Sequence, residues 1–194
     1  YAGRHFGLPA EQALTTMLKA SGRGAALQAL CDTFGVGRHR LPEMLTVFRS
    51  HTPSLWLFHD AEATLCQLRS DGWQLAILTN GLPQVQSVKV HALGLEAFVD
   101  HVVFAAEHAD GGKPHPAAFH EVLRRFALPA QRCVMVGDDP DCDIRGAREV
   151  GVRTIRVARL NGDIPCCADV VLKSLDGIPA AAGSLVQKVT ADAA

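Results

Sequence analysis

Three stripes of apolar residues open the chain. Ala10, Ala13, Leu14, Met17 and Leu18 make the first, Leu27, Leu30, Cys31 and Phe34 the second, and Leu41, Met44, Leu45 and Phe48 the third. Each has the i, i+3, i+4, i+7 spacing of a helix with one buried face, and Gly35 closes the second. Beyond about residue 55 the period changes. Short apolar runs at residues 75–78, 102–105, 133–136, 154–157 and 170–172 read as strands. Between them lie helical patterns: Asp60 capping a helix that Asp71-Gly72 ends, a helix over 83–93, one carrying Phe119, Val122, Leu123 and Phe126, and one over 141–150 ended by Gly151. Strands alternating with helices predict parallel βαβ units. Unbroken apolar strands predict a sheet covered on both faces. The expected organisation is a helical domain over residues 1–55 and an α/β domain with an open parallel sheet over 56–194.

Composition narrows the partners. The 194 residues carry a formal net charge of −1 and no basic block, so neither nucleic acid nor an anionic membrane is suggested. No apolar run approaches the ~20 residues that span a bilayer, and the first dozen residues lack the apolar core of a signal peptide. Six cysteines form no CxxC pair. They read as unpaired thiols of a cytoplasmic protein, the vicinal Cys166-Cys167 included.

In an open α/β sheet, ligands bind beyond the carboxyl ends of the strands. After "LAIL" come Thr79, Asn80 and Gly81, then a helix at once. A hydroxyl, free N–H groups and a helix N-terminus suit an anion, although a plain Thr-Asn-Gly turn has the same composition. After the next strand, "GGKPHPAAF" sets Lys113 between glycines and prolines, where a point charge can meet a phosphate oxygen. After "VMV" and Gly137 follow Asp138, Asp139, Asp141 and Asp143. Crowded carboxylates repel unless a cation neutralises them, and Mg²⁺ takes a few carboxylates together with water and phosphate. Helix N-capping is the plainer account, and it is expected to explain Asp141. An anion cradle, a lysine and a cation site beyond strands of one sheet suit phosphoryl transfer.

The order "LAILTNG", "GGKPHPAAF", "VMVGDDPDCDIRGAREVG" resembles the haloacid dehalogenase superfamily, particularly its phosphatases with a small helical cap. The resemblance covers roughly residues 55–180, with "ADVVLKSLDGIP" similar to that family's last strand and helix, and the helical start similar to its cap. It implies a Rossmann-like core and an Mg²⁺-dependent phosphatase acting on a small phosphorylated metabolite. By the same resemblance, Thr79, Asn80, Gly81 and Lys113 bind the phosphate, Lys113 also bridging to the nucleophile. Asp138 and Asp143 hold the metal, and Asp139 occupies a variable position.

One motif of that family is not found. Its first strand ends in Asp-x-Asp, whose first Asp is the nucleophile and whose second is the acid and base. Here "CDTF" lies on a helical stripe and "FHDAE" opens a helix. With Tyr1 in first place and helices beginning almost at once, an N-terminally truncated phosphatase is expected, the alternative being a non-catalytic relative that binds or scaffolds a phosphate ligand. A receiver-like domain is disfavoured, because its acidic pair precedes its Thr and Lys. The family's first strand is central, between the strands ending at Leu78 and Val136. Those two strands are therefore expected to flank a slot rather than to pair.

Overall fold

The computed structural model of the protein describes residues 13, 26–50, 53–107, 112–159 and 164–192. Ala10, Leu14, Met17 and Leu18 of the first stripe lie outside the described residues. The chain forms two compact units, Tyr1–Thr52 and Pro53–Ala194.

In the first unit, helix α1 (residues 26–33) stops where Gly35 turns left-handed at φ 63°. A short 3₁₀ turn, Arg38–Arg40, leads into α2 (Leu41–Ser50). The stripes meet as their spacing requires: Leu27, Leu30, Cys31 and Met44 are buried together, with Phe34, Leu41 and Leu45 packed around them. Asp32 of "CDTF" is exposed and held by the Arg38 guanidinium at 3.1 Å.

The second unit runs α3 (Ala61–Ser70), β1 (Ala76–Thr79), α4 (Pro83–Ala92), β2 (His101–Phe104), α5 (Pro116–Phe126), β3 (Val134–Gly137), a π-helical turn (Pro140–Arg145), α6 (Gly146–Glu149), β4 (Arg153–Val157), β5 (Val170–Leu172) and α7 (Ile178–Asp192). All pairing among the described residues is parallel. β1 pairs with β2, while β3, β4 and β5 pair in that order.

The two groups of strands share their helical layers. Leu75 beside β1 and Val134 on β3 pack into one cluster with Leu68 of α3 and Ile178, Ala182 and Leu185 of α7. Leu78 and Met135 pack into the other, with Phe119 of α5 and Ala147 of α6. Yet β1 and β3 do not pair. Between them is a cavity of about 830 Å³ whose walls include Ile77, Leu78, Val134, Val136, Phe119 and Ile178. The difference shows in burial. β4, paired on both sides, is buried along most of its length, whereas β1 and β3 are half-buried and Val136 is 37% exposed. The expected slot is therefore present, flanked by two strands that do not pair with each other.

Two helix boundaries depart from the sequence reading. Asp60 stands at the N-terminus of α3 but makes no side-chain cap. Its buried carboxylate instead accepts from Arg159 and from Leu175 N, the latter at 2.9 Å. The Leu175 N–H and the Arg159 guanidinium hold its pKa below the usual carboxylate value despite burial. Residues 141–150 do not form one α-helix: the chain winds first through the π-helical turn, and only Gly146–Glu149 is α-helical.

Candidate active site

β1 ends at Thr79 and β3 at Gly137. Lys113 links the turns beyond these two strand ends. The Asn80 side chain clamps the Lys113 backbone, Nδ2 donating to its carbonyl and Oδ1 accepting from its N–H, both at 2.8 Å. A Cβ at residue 112 would overlap the Asn80 amide and displace it from this clamp, so Gly112 leaves the room the clamp needs. At its other end, Lys113 Nζ lies 2.6 Å from Asp143 Oδ1, with the two side chains only 10% and 8% exposed. One lysine thus spans the carboxyl ends of both strands that flank the cavity.

The Asn80 amide does not point outward as a free donor, as its place in a Thr-Asn-Gly anion cradle suggested. Its polar atoms are spent on Lys113. Thr79 Oγ1 lies within 3.3 Å of Gln86 Oε1 and 3.2 Å of the Asn80 carbonyl. A single hydroxyl proton can serve only one of these acceptors at a time. Gly81 takes φ 107°, a conformation that L side chains rarely adopt, and the chain turns there into α4.

The acidic run divides by role. Asp138 is exposed at the end of β3, and its carboxylate makes no hydrogen bond or ion pair among the described residues. Asp139, not Asp141, is the N-cap of the following turn: its Oδ1 accepts from Asp141 N at 2.9 Å and Cys142 N at 2.8 Å. Asp139 has the extended backbone of a cap residue, whereas Asp141 is already inside the turn. Asp141 pairs at the surface with Arg145 at 3.2 Å. Asp143 is buried, and its Oδ2 accepts from Asp139 N at 3.2 Å. Gly137 makes room for it, since a Cβ there would overlap the Asp143 carboxylate. Gly146 likewise lets Phe119 and Pro114 close in; a Cβ would lie 2.7 Å from the Phe119 ring. Burial, and then the negative charge of Asp139 and Asp143, pushes the Cys142 thiol pKa up, with Lys113 opposing.

The donor set suits a hard divalent cation. One free carboxylate and one buried carboxylate belong to the same strand-end turn, and no group of three His, Cys, Asp or Glu among the described residues forms a closed cage. Mg²⁺ keeps several waters and takes a substrate phosphate, so it needs no such cage. Sequence reasoning singled out Thr79, Lys113, Asp138 and Asp143 as candidates; it did not single out Gln86, the Thr79 partner, or Arg156, which donates to the Asp138 carbonyl. The available signal for Arg156 was a charge inside the apolar run of β4. All six cysteines are free thiols.

The haloacid dehalogenase-like hydrolase family model matches residues 23–151, about two thirds of the sequence. The chain belongs to that family. A phosphoserine phosphatase of Thermus thermophilus is 37% identical over 125 residues, covering 64% of this chain and 50% of the relative. A glyceraldehyde 3-phosphate phosphatase of Methanopyrus kandleri is 39% identical over 102 residues, covering 53% and 43%. The chain thus spans about half the length of the curated relatives it matches. Among solved structures, a haloacid dehalogenase-type phosphatase of Thermococcus onnurineus superposes with a TM-score of 0.63 at 25% identity, covering 89% of this chain and 79% of that one. The magnesium-bound YfnB of Bacillus subtilis superposes at 0.68 with 18% identity, covering 90% and 79%, which speaks to the fold alone.

Proposed function

We propose that this chain carries most of a phosphatase of the haloacid dehalogenase-like family, acting on a small phosphate ester. The observation that carries the reading is Lys113. It is clamped by Asn80 beyond β1 and paired with Asp143 beyond β3, at the carboxyl ends of the two strands that flank the cavity. In the working enzyme, an additional parallel strand lies between β1 and β3 and presents Asp-x-Asp beside Lys113.

The chemistry then divides between that strand and this chain. The first Asp attacks phosphorus; its oxygen–phosphorus bond forms as the ester bond to the leaving group breaks. The second Asp gives the leaving oxygen its proton, and later takes one from the water that hydrolyses the aspartyl-phosphate. Thr79 and the backbone around Gly81 bind the phosphoryl oxygens, and Thr79 exchanges its bond to Gln86 for one to the substrate. Lys113 places positive charge where negative charge develops. Asp138 and Asp143 would hold Mg²⁺, which when bound neutralises phosphate charge.

The relatives named as phosphatases of phosphoserine, glyceraldehyde 3-phosphate and N-acylneuraminate 9-phosphate support a small phosphorylated metabolite as the substrate class. By the same resemblance, the helical unit corresponds to the small cap of the family's phosphatases. Free thiols fit a reducing compartment, the cytoplasm.

The test is hydrolysis of p-nitrophenyl phosphate with Mg²⁺ by a form supplied with the strand. Lys113→Ala should lower turnover on the order of 10²-fold or more, as when one preorganised donor is deleted. Near-normal turnover would remove the role assigned to Lys113. A phosphate-binding relative without turnover would show the same Lys113 dependence in anion binding and no product at all.

A further inference from the structure

Arg156 breaks the pattern of its strand. In β4 the sequence reads Arg153-Thr154-Ile155-Arg156-Val157, and all but the first are buried. Arg156 is 1% exposed. A guanidinium cannot shed its proton in a protein, so burial cannot neutralise it. Buried charges are ordinarily paired, because an unpaired one is strongly destabilising. Among the described residues no carboxylate lies within ion-pair distance of Arg156. An apolar side chain would satisfy the strand better.

Arg156 binds backbone instead. Its Nε donates to the Asp138 carbonyl at 3.3 Å, and its Nη1 to the Ile164 carbonyl at 2.5 Å, with Cys166 Sγ 3.9 Å away. Nη2 is buried without a partner in the structure. In the ladder, Arg156 stands opposite Gly137, the residue before Asp138. The guanidinium therefore fixes the turn that begins at Asp138 from beneath and ties it to the segment after β4. It also places a permanent positive charge against the backbone from which the acidic run begins.

We propose that Arg156 is the positioning residue of the Asp138 turn, holding its backbone so that the Asp138 carboxylate meets a divalent cation. The inference rests on the phosphatase reading, within which it assigns a function to a residue that touches neither phosphate nor metal. A fork binds two carbonyls at fixed geometry; a lysine keeps the charge but cannot reproduce both bonds.

The test is Mn²⁺ binding to the full chain, read as loss of the free-ion electron paramagnetic resonance signal, with urea unfolding of the metal-free protein alongside. Outer-shell partners of metal ligands are typically worth 10–100-fold in affinity. Arg156→Lys and Arg156→Met should each bind Mn²⁺ at least tenfold more weakly than the unaltered chain. Arg156→Lys should stay folded, and Asp141→Asn, at the surface of the same turn, should bind within about twofold of the unaltered chain. Equal binding by a folded Arg156→Lys would overturn the inference and leave the phosphatase reading standing. Loss of the fold in both Arg156 variants would make the residue a determinant of the fold and overturn the inference as well. No Mn²⁺ binding by the unaltered chain would overturn the metal reading and this inference together.

Discussion

Breaking the ion pair between Lys113 and Asp143 should cost far more than breaking an ordinary surface pair. The groups are 2.6 Å apart with side chains 10% and 8% exposed. At that separation and an effective dielectric of about 20, Coulomb attraction is about 6 kcal/mol, most of it offset by desolvation of both ions. Removing one partner leaves the other charge buried without compensation, at a cost of about 3–5 kcal/mol. Exposed pairs such as Arg38–Asp32 are worth about 0–1 kcal/mol. A domain holds only about 5–15 kcal/mol in total, so either single change removes a large part of it. The perturbation is Lys113→Met, Asp143→Asn and the double variant, each nearly isosteric. The assay is urea unfolding followed by circular dichroism, with chelator present so that no metal replaces the lysine charge. Each single variant should lose about 3–5 kcal/mol, and the double variant clearly less than the sum. Single losses below about 1 kcal/mol, or strict additivity, would refute the argument that the pair is desolvated and coupled.

Asn80→Ala removes two hydrogen bonds of 2.8 Å from the Lys113 backbone, with an expected loss of about 1–3 kcal/mol and faster amide exchange at Lys113. Gly137→Ala would place a methyl group on the Asp143 carboxylate; displacing it should cost about 1–3 kcal/mol by urea unfolding and weaken Mn²⁺ binding. Glu121 should show up in the acid limb of stability. Its pKa is lowered from 4.5 to about 2 by hydrogen bonds from Arg124 and then Arg125. A depressed carboxylate stabilises the fold above its unfolded value, and that contribution is lost as pH falls from about 4.5 through about 2. Glu121→Gln should therefore flatten unfolding free energy against pH in that window and leave the slope above pH 5 unchanged.

The strands were legible because four of the five are short apolar runs bounded by turn residues, with only β4 interrupted, by Arg156; β5 falls on the expected residues and the other four differ from them by about one residue. Strand ends then pointed to the candidate site, since in a parallel sheet the chain after each strand emerges at the same edge. Partnership was not legible. Nothing in "TNG" says that the Asn80 amide turns toward a backbone 33 residues on. The choice between Asp139 and Asp141 as the cap depends on backbone angles, and both residues have the right chemistry. Asp60 looked like a cap because it precedes an apolar stripe, but Arg159 and Leu175 claim its carboxylate from far along the chain. Arg156 was visible only as a misfit, and its meaning required knowing which carbonyls lie within reach.

The central claim is that a strand between β1 and β3 completes the site, and it can be tested by supplying one. Each flanking strand has four residues, so an apolar segment of similar length ending in Asp-x-Asp matches the slot. An added strand would give the facing backbone groups of β1 and β3 hydrogen-bond partners, each bond worth about 0.5–1.5 kcal/mol, so it should also stabilise the fold. The measurement is Mg²⁺-dependent hydrolysis of p-nitrophenyl phosphate by residues 1–194 alone, by the same chain fused to that segment through a flexible linker, and by the fusion with its first Asp changed to Asn. The expected result is turnover by the intact fusion only. Robust turnover by residues 1–194 alone, or by the Asn form of the fusion, would contradict the account, because the nucleophile would then lie within the chain itself.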